Sequence, residues 1–196
     1  MVTSNFSIAA LQGAPSAQIQ SLMGAFAAKV ARSGFKVGGV VEIAEAAPTG
    51  ACGKLKLRDL ATGELISISQ NLGPGSEARN LDGRGLTAAC AAVESALAGG
   101  LDLVIVSKFA RQEAAGSGLY YAFRMAAASG TPLLTAVSPA LGAAWGAFAG
   151  SLSQYLPANA DAVEGWWKRG LFEPAGLAAE KGFRKLSCQA LREACR

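Results

Sequence analysis

Four short, almost wholly apolar runs, each parted from the next by at least one helical stretch, set the strongest limit on how this chain folds. They are Phe6–Gln12 (FSIAALQ), Lys36–Ile43 (KVGGVVEI), Asp102–Val106 (DLVIV) and Pro132–Val137 (PLLTAV). Runs this short and this apolar are strands covered on both faces, and strands that alternate with helices form parallel βαβ units. The intervening helices are expected at Ser16–Arg32, Gly83–Leu97 and Leu119–Ser129. Between the second strand and the second helix, Lys54–Leu60 and Glu64–Ser69 flank Ala61-Thr62-Gly63, the pattern of a β-hairpin. It would add antiparallel strands at one sheet edge. Lys54, Lys56 and Arg58 alternate with Leu55 and Leu57, giving that strand one basic face, either solvated or anion-binding. The remainder reads as helix: Pro139–Tyr155, Ala160–Lys168 and about Glu173–Cys195. The expectation is one α/β domain over residues 1–170 and a helical extension over 171–196.

The loop after the first strand narrows the choice. Gly13-Ala14-Pro15-Ser16 sits where a phosphate-binding loop lies, between a buried strand and a helix. Counted from Gly13, the spacing G-x-x-x-x-G-K-[ST] requires Gly, Lys and Ser/Thr at positions now held by Gln18, Ile19 and Gln20. The phosphate-binding lysine and the Mg²⁺-binding hydroxyl are both missing. At the end of DLVIV, where such enzymes place a metal-holding acid and often a catalytic glutamate, stand Ser107 and Lys108. Glu113, six residues past Ser107, is the nearby carboxylate and the candidate base or metal ligand if the chain is an enzyme. Lys108, at the carboxyl end of a central strand, points either into the ligand crevice or into a salt bridge with Glu113 or Asp102.

Two further loops could hold an anion. Ser69-Gln70-Asn71-Leu72-Gly73-Pro74-Gly75-Ser76 places glycines beside serines, a composition suited to a nest of backbone N–H groups, with Arg79 following. Ala115-Gly116-Ser117-Gly118 precedes a helix and could leave its first N–H groups free. Either is equally readable as a connecting turn. Trp145 reads as core, and Trp166-Trp167 as a pin between the last helices and the body.

Composition excludes several function classes. The chain has no histidine, so imidazole acid–base catalysis, His-based triads and His-containing zinc sites are absent. Cys52, Cys90, Cys188 and Cys195 are scattered with no C-x-x-C pair, and read as ordinary thiols. A net charge of +4 without basic runs or interleaved aromatics gives no sign of nucleic acid binding. No apolar run reaches the roughly 18–20 residues of a membrane span; Leu133–Leu152 comes nearest and is interrupted by Pro139 and glycines. The start lacks a signal-peptide pattern, so a cytoplasmic location is the expectation.

The order strand–GAPSAQ–helix, GFKVGGVV, an LRDLATGE hairpin, DLVIV and SKFARQE resembles a bacterial family known as domain of unknown function 2478. The resemblance rests on Cys52, Leu57–Leu60, Gly63, Ser69–Ser76, Leu81-Asp82, Lys108-Phe109, Gln112-Glu113, Trp145 and Trp166-Trp167. It covers about Phe6–Trp167. Ser107 stands for the family's usual Asn, Ala110 for its Gly, and no Cys lies near Arg79. More distantly, the layout is similar to thermophile-type P-loop nucleoside-triphosphatases, with Ser107-Lys108 in place of their Asp-Glu. The resemblance implies a three-layer P-loop-NTPase-like α/β fold with a hairpin extension and a helical C-terminus. It also implies an association with molybdate transport and molybdenum enzymes.

The leading expectation is a non-hydrolysing protein that binds a phosphate-bearing ligand or oxyanion. Its ligand would be a nucleotide or a molybdate-like oxyanion, held by Gly13, Ser16, Ser69, Gln70, Gly73, Gly75, Ser76 and Lys108, with Arg79 and Arg111 as secondary charges. The alternatives are an unorthodox nucleotide hydrolase or transferase using Glu113, and a scaffold with a decayed site. The scaffold would meet a protein partner or a second copy through residues 171–196.

Overall fold

The computed structural model describes residues 7–44, 55–69 and 81–172. Each apolar run becomes a strand: β1 (Ile8–Gln12), β2 (Val37–Ala44), β5 (Leu103–Val106) and β6 (Leu133–Ala136). The hairpin supplies β3 (Leu55–Asp59) and β4 (Leu65–Ser67). The helices are α1 (Ser16–Arg32), α2 (Gly83–Ala98), a single turn α3 (Arg111–Ala114), α4 (Tyr120–Ser129), α5 (Gly142–Ala149) and α6 (Ala160–Phe172). Asp82 caps α2, its carboxylate accepting the Arg84 N–H at 3.1 Å.

With a last strand, β7 (Ser153–Pro157), these form one sheet of seven strands in the order β4-β3-β2-β5-β6-β1-β7. β2, β5, β6, β1 and β7 are parallel, and β3 and β4 run antiparallel at one edge, as the hairpin pattern predicts. Alternate residues of each central strand feed opposite cores. Ile8, Ala10, Val104 and Val106 pack with α2, α4 and α5, whereas Ala9, Leu11, Leu103 and Ile105 pack with α1 and α6. Burial on both sides explains why these strands carry no polar alternation. The result is a mostly parallel sheet between two helical layers, a P-loop-NTPase-like α/β fold.

Backbone crowding fixes two glycines. Gly39 has φ +105°, and a Cβ there would overlap the carbonyl oxygen of Ile105 on the neighbouring strand. A Cβ on Gly85 would likewise strike the Ser67 carbonyl oxygen, so the first turn of α2 can lie directly against the end of β4.

The stretch expected as one helix over Pro139–Tyr155 is corrected. It breaks into a 3-10 turn (Pro139–Leu141), α5, a second such turn (Gly150–Leu152) and then β7. Gly150, with φ +51°, ends α5. β7 then pairs along the whole of β1, from Ile8↔Ser153 to Gln12↔Pro157. It is an edge strand in which only Leu156 is buried, so no apolar run announces it. Trp145 is core, as read from the sequence, and Trp167 packs edge-on to Phe26 and Phe35 at centroid distances of 6.4 and 5.4 Å. No helix among the described residues is long and apolar enough to cross a membrane. The expected extension beyond Phe172 lies outside the described residues.

Candidate functional site

β1 leads into α1 on one face of the sheet, whereas β6 leads into α5 on the other. The two connections part above the carboxyl ends of β1 and β6, the kind of switch point at which open parallel sheets form ligand crevices. A cleft of about 620 Å³ opens there. Its walls are Gly13, Ala14 and Ser16 after β1, Lys108, Ala110 and Arg111 after β5, and Val137 to Leu141 after β6. Gly13 turns with φ +90°. Ser16 opens α1, whose first N–H groups have no carbonyl partner within the helix. The Gln18 and Ile19 N–H groups return to the Pro15 carbonyl at 3.0 and 3.1 Å.

Beside this cleft, side chains of α1, β2 and the end of β5 bond to one another. β2 and β5 pair as far as Val40↔Val106 and then part. Gln20 of α1, 4% exposed, fills the gap. Its Nε2 donates to the Ser107 carbonyl at 2.6 Å, and its Oε1 accepts the Glu42 N–H at 2.8 Å. Gln20, expected from the sequence to stand in place of a Mg²⁺-binding hydroxyl, is a buried amide that ties two strand ends together. Ser107 itself is buried. Lys108 crosses to β2, where its Nζ meets Glu42 Oε2 at 2.6 Å.

That pairing corrects the expected partners of Lys108, which were Glu113 or Asp102. Asp102 lies at the opposite end of β5 and accepts the Lys36 N–H at 2.7 Å. Glu113 is buried and turned back on its own loop. Its Oε2 accepts the Ala110 N–H at 2.9 Å and its Oε1 the Leu119 N–H at 2.8 Å. It holds closed the loop that carries Ala110 and Arg111. Phe109 anchors the same loop from below, with ring centroids 5.1 Å from Trp145 and 5.6 Å from both Phe123 and Phe148. Lys108 and Arg111 are thus presented from a rigid base.

The structure brings Gly13, Ser16, Lys108 and Arg111 to one cleft. Ser69 stands elsewhere. It bridges to Leu81, next to an apolar chamber of about 330 Å³ walled by Leu55, Leu57, Ile68, Leu81, Leu86 and Leu119. Lys108, Ala110 and Arg111 border both cavities, and Glu42 borders the chamber alone. Gln70, Gly73, Gly75, Ser76 and Arg79 lie outside the described residues. Of the two readings of Ala115–Gly118, the turn fits: the Leu119 N–H donates to Glu113 Oε1 at 2.8 Å and the Tyr120 N–H to the Ser117 carbonyl at 3.1 Å, so these N–H groups at the start of α4 are taken. Among the described residues no cluster of three or more Asp, Glu, Cys or His side chains could hold a metal ion. Burial pushes the Cys90 thiol above its usual pKa, partly offset by hydrogen bonding with the Ala122 backbone and reinforced by the charge of Glu113. It therefore stays protonated at neutral pH.

Two residues that shape the site, Gln20 and Glu42, escape the sequence reading. Gln20 registers there only as a missing hydroxyl. A signal for Glu42 was present: one charged side chain in the buried run VGGVVEIA needs a partner, and Lys108 is the cation the topology brings to it.

Residues 8–166 match the family described as protein of unknown function (DUF2478). Over 161 residues the chain is 38% identical to the molybdenum import ATP-binding protein ModC 2 of Bradyrhizobium diazoefficiens, a match that takes in 82% of this chain and 18% of that relative. The chain thus spans under a fifth of the relative's length. No solved structure matches. With the family match over nearly all the described residues, the chain belongs to the DUF2478 family.

Proposed function

We propose that this domain binds a small oxyanion or phosphate-bearing ligand without hydrolysing it. One observation carries the reading. The switch-point cleft gathers the Gly13 turn, the start of α1, Lys108 and Arg111, with the Gln20 bridge and the Glu42–Lys108 pair beside it. An anion there lies beside Arg111 and the positive end of a helix dipole, within reach of Lys108 once its ammonium turns from Glu42. Molybdate is a fitting ligand, supported by the similarity to a relative named for molybdenum import and ATP binding.

Isothermal titration of the full chain with phosphate and with molybdate tests the site. Lys108→Ala is expected to weaken binding by about 10–100-fold, the worth of a hydrogen bond to a charged group. Arg111→Ala, acting from a more exposed position, is expected to weaken it less and in a more salt-sensitive way. Equal affinities for the wild type and Lys108→Ala would remove this site assignment.

A further inference from the structure

We infer that Glu42 is a built-in competitor of the ligand, a carboxylate that draws Lys108 away from the cleft and sets the affinity of the anion site. The inference rests on the anion-binding reading and adds a controlling residue to it. Lys108 borders both cavities, but its ammonium is committed to the chamber side, 2.6 Å from Glu42 Oε2. The Glu42 side chain is 13% exposed and that of Lys108 is 38% exposed. The carboxylate is thus seated and the lysine is the partner free to move. Glu42 is held from behind, because its own N–H donates to the buried Gln20 amide, which is tied in turn to the Ser107 carbonyl. The backbone that carries the carboxylate is thereby fixed beside the chamber.

An anion entering beside Gly13 must then share Lys108 with Glu42 or pull it away. Either way part of its binding free energy goes into breaking an existing ion pair, and the uncompensated Glu42 charge repels it further. Both effects have one sign. Removing the charge from Glu42 should strengthen the site, the reverse of what truncating a ligand-binding residue does.

The test is titration of the full chain with inorganic phosphate, using wild type, Glu42→Gln, Lys108→Ala and the double variant. Glu42→Gln keeps the side-chain shape and the backbone bond to Gln20. It is expected to bind phosphate about tenfold more tightly, within the usual range of site-to-site coupling. The double variant should lose most of that gain and bind only modestly more tightly than Lys108→Ala, because the ammonium is gone and only the Glu42 repulsion has been relieved. Should Glu42→Gln lose its cooperative melting transition, Glu42→Asp carries the test, with a severalfold tightening expected as the charge withdraws by one carbon. If wild-type binding depends on Lys108 while the Glu42 variants bind no more tightly, the competitor role is wrong and the anion site stands. If neither wild type nor Glu42→Gln binds phosphate, and the double variant is equally silent, both readings fall.

Discussion

Trp145→Ala is expected to destabilise the domain by about 3–5 kcal/mol, the range for truncating a large buried aromatic side chain. Trp145 has no exposed surface and stacks against Phe109, Phe123 and Phe148 with centroids 5.1, 6.0 and 5.7 Å away. Its indole N–H also donates to Ser153 Oγ at 3.1 Å, joining α5 to the start of β7. The truncation therefore leaves a cavity under Phe109 and loosens the edge strand at the same time. For a domain of this size the melting temperature should fall by roughly 6–20 °C. Trp145→Phe should lose less, and Tyr121→Ala, on a side chain 57% exposed, should change little. Because Phe109 anchors the turn that carries Lys108, anion affinity should fall with the Trp145 truncation even though Trp145 lies outside the cleft. Chemical denaturation and calorimetry read the first effect, and titration the second.

Glu113→Ala is the second large effect, expected to cost about 2–6 kcal/mol for two backbone donors left without a partner. The carboxylate accepts two backbone N–H groups, and Leu119, which carries one of them, is buried. Removing the acceptor leaves those donors without a partner, at about 1–3 kcal/mol each. Glu113→Gln retains one carbonyl acceptor and should lose about half as much. This series separates a loop-closing role from a hydrolytic one. A catalytic base would make the Gln variant stable and inactive, with Mg²⁺-dependent phosphate release lost. With Glu113 as a loop clasp, stability falls in the order wild type, Gln, Ala. Phosphate release from Mg-ATP stays at the uncatalysed background in all of them.

The parts of the fold that were legible in the sequence are those where one stretch of chain carries its own pattern. IAALQ, LVIV and LLTA are buried on both faces, so their apolar runs mark them as central strands whatever surrounds them. The hairpin around Ala61-Thr62-Gly63 is equally local. β7 was hidden because it is an edge strand with polar, half-buried Ser153 and Gln154 and exposed Tyr155, and only pairing with β1 makes them a strand. The Ala- and Gly-rich stretch before it is apolar on every side, and no amphipathic period could show where α5 ends.

The candidate site was legible as positions and not as contacts. Gly13, Ser16, Lys108 and Arg111 meet in the cleft because α/β topology brings strand ends and helix starts to one edge. The partner of Lys108 was not legible, since Glu42 lies 66 residues away and Glu113 only five. Proximity in sequence favoured the wrong carboxylate, which the two backbone N–H groups of its own loop had already claimed. Gln20 was read only as a lost hydroxyl; its bonds to residues 22 and 87 positions away turn that loss into a strand-joining bridge.

Metal-independent anion binding is most directly tested by a thermal-shift titration of the full chain with phosphate, molybdate and ATP, run in EDTA and repeated with Mg²⁺. A ligand at about 100 times its Kd stabilises by roughly 2.7 kcal/mol, which for a domain of this length is a rise of about 5–10 °C. That rise is expected with phosphate or molybdate, unchanged by EDTA and lost in Lys108→Ala. A rise seen only with ATP and Mg²⁺ together, or no rise with any of the three, would contradict metal-independent binding at this cleft.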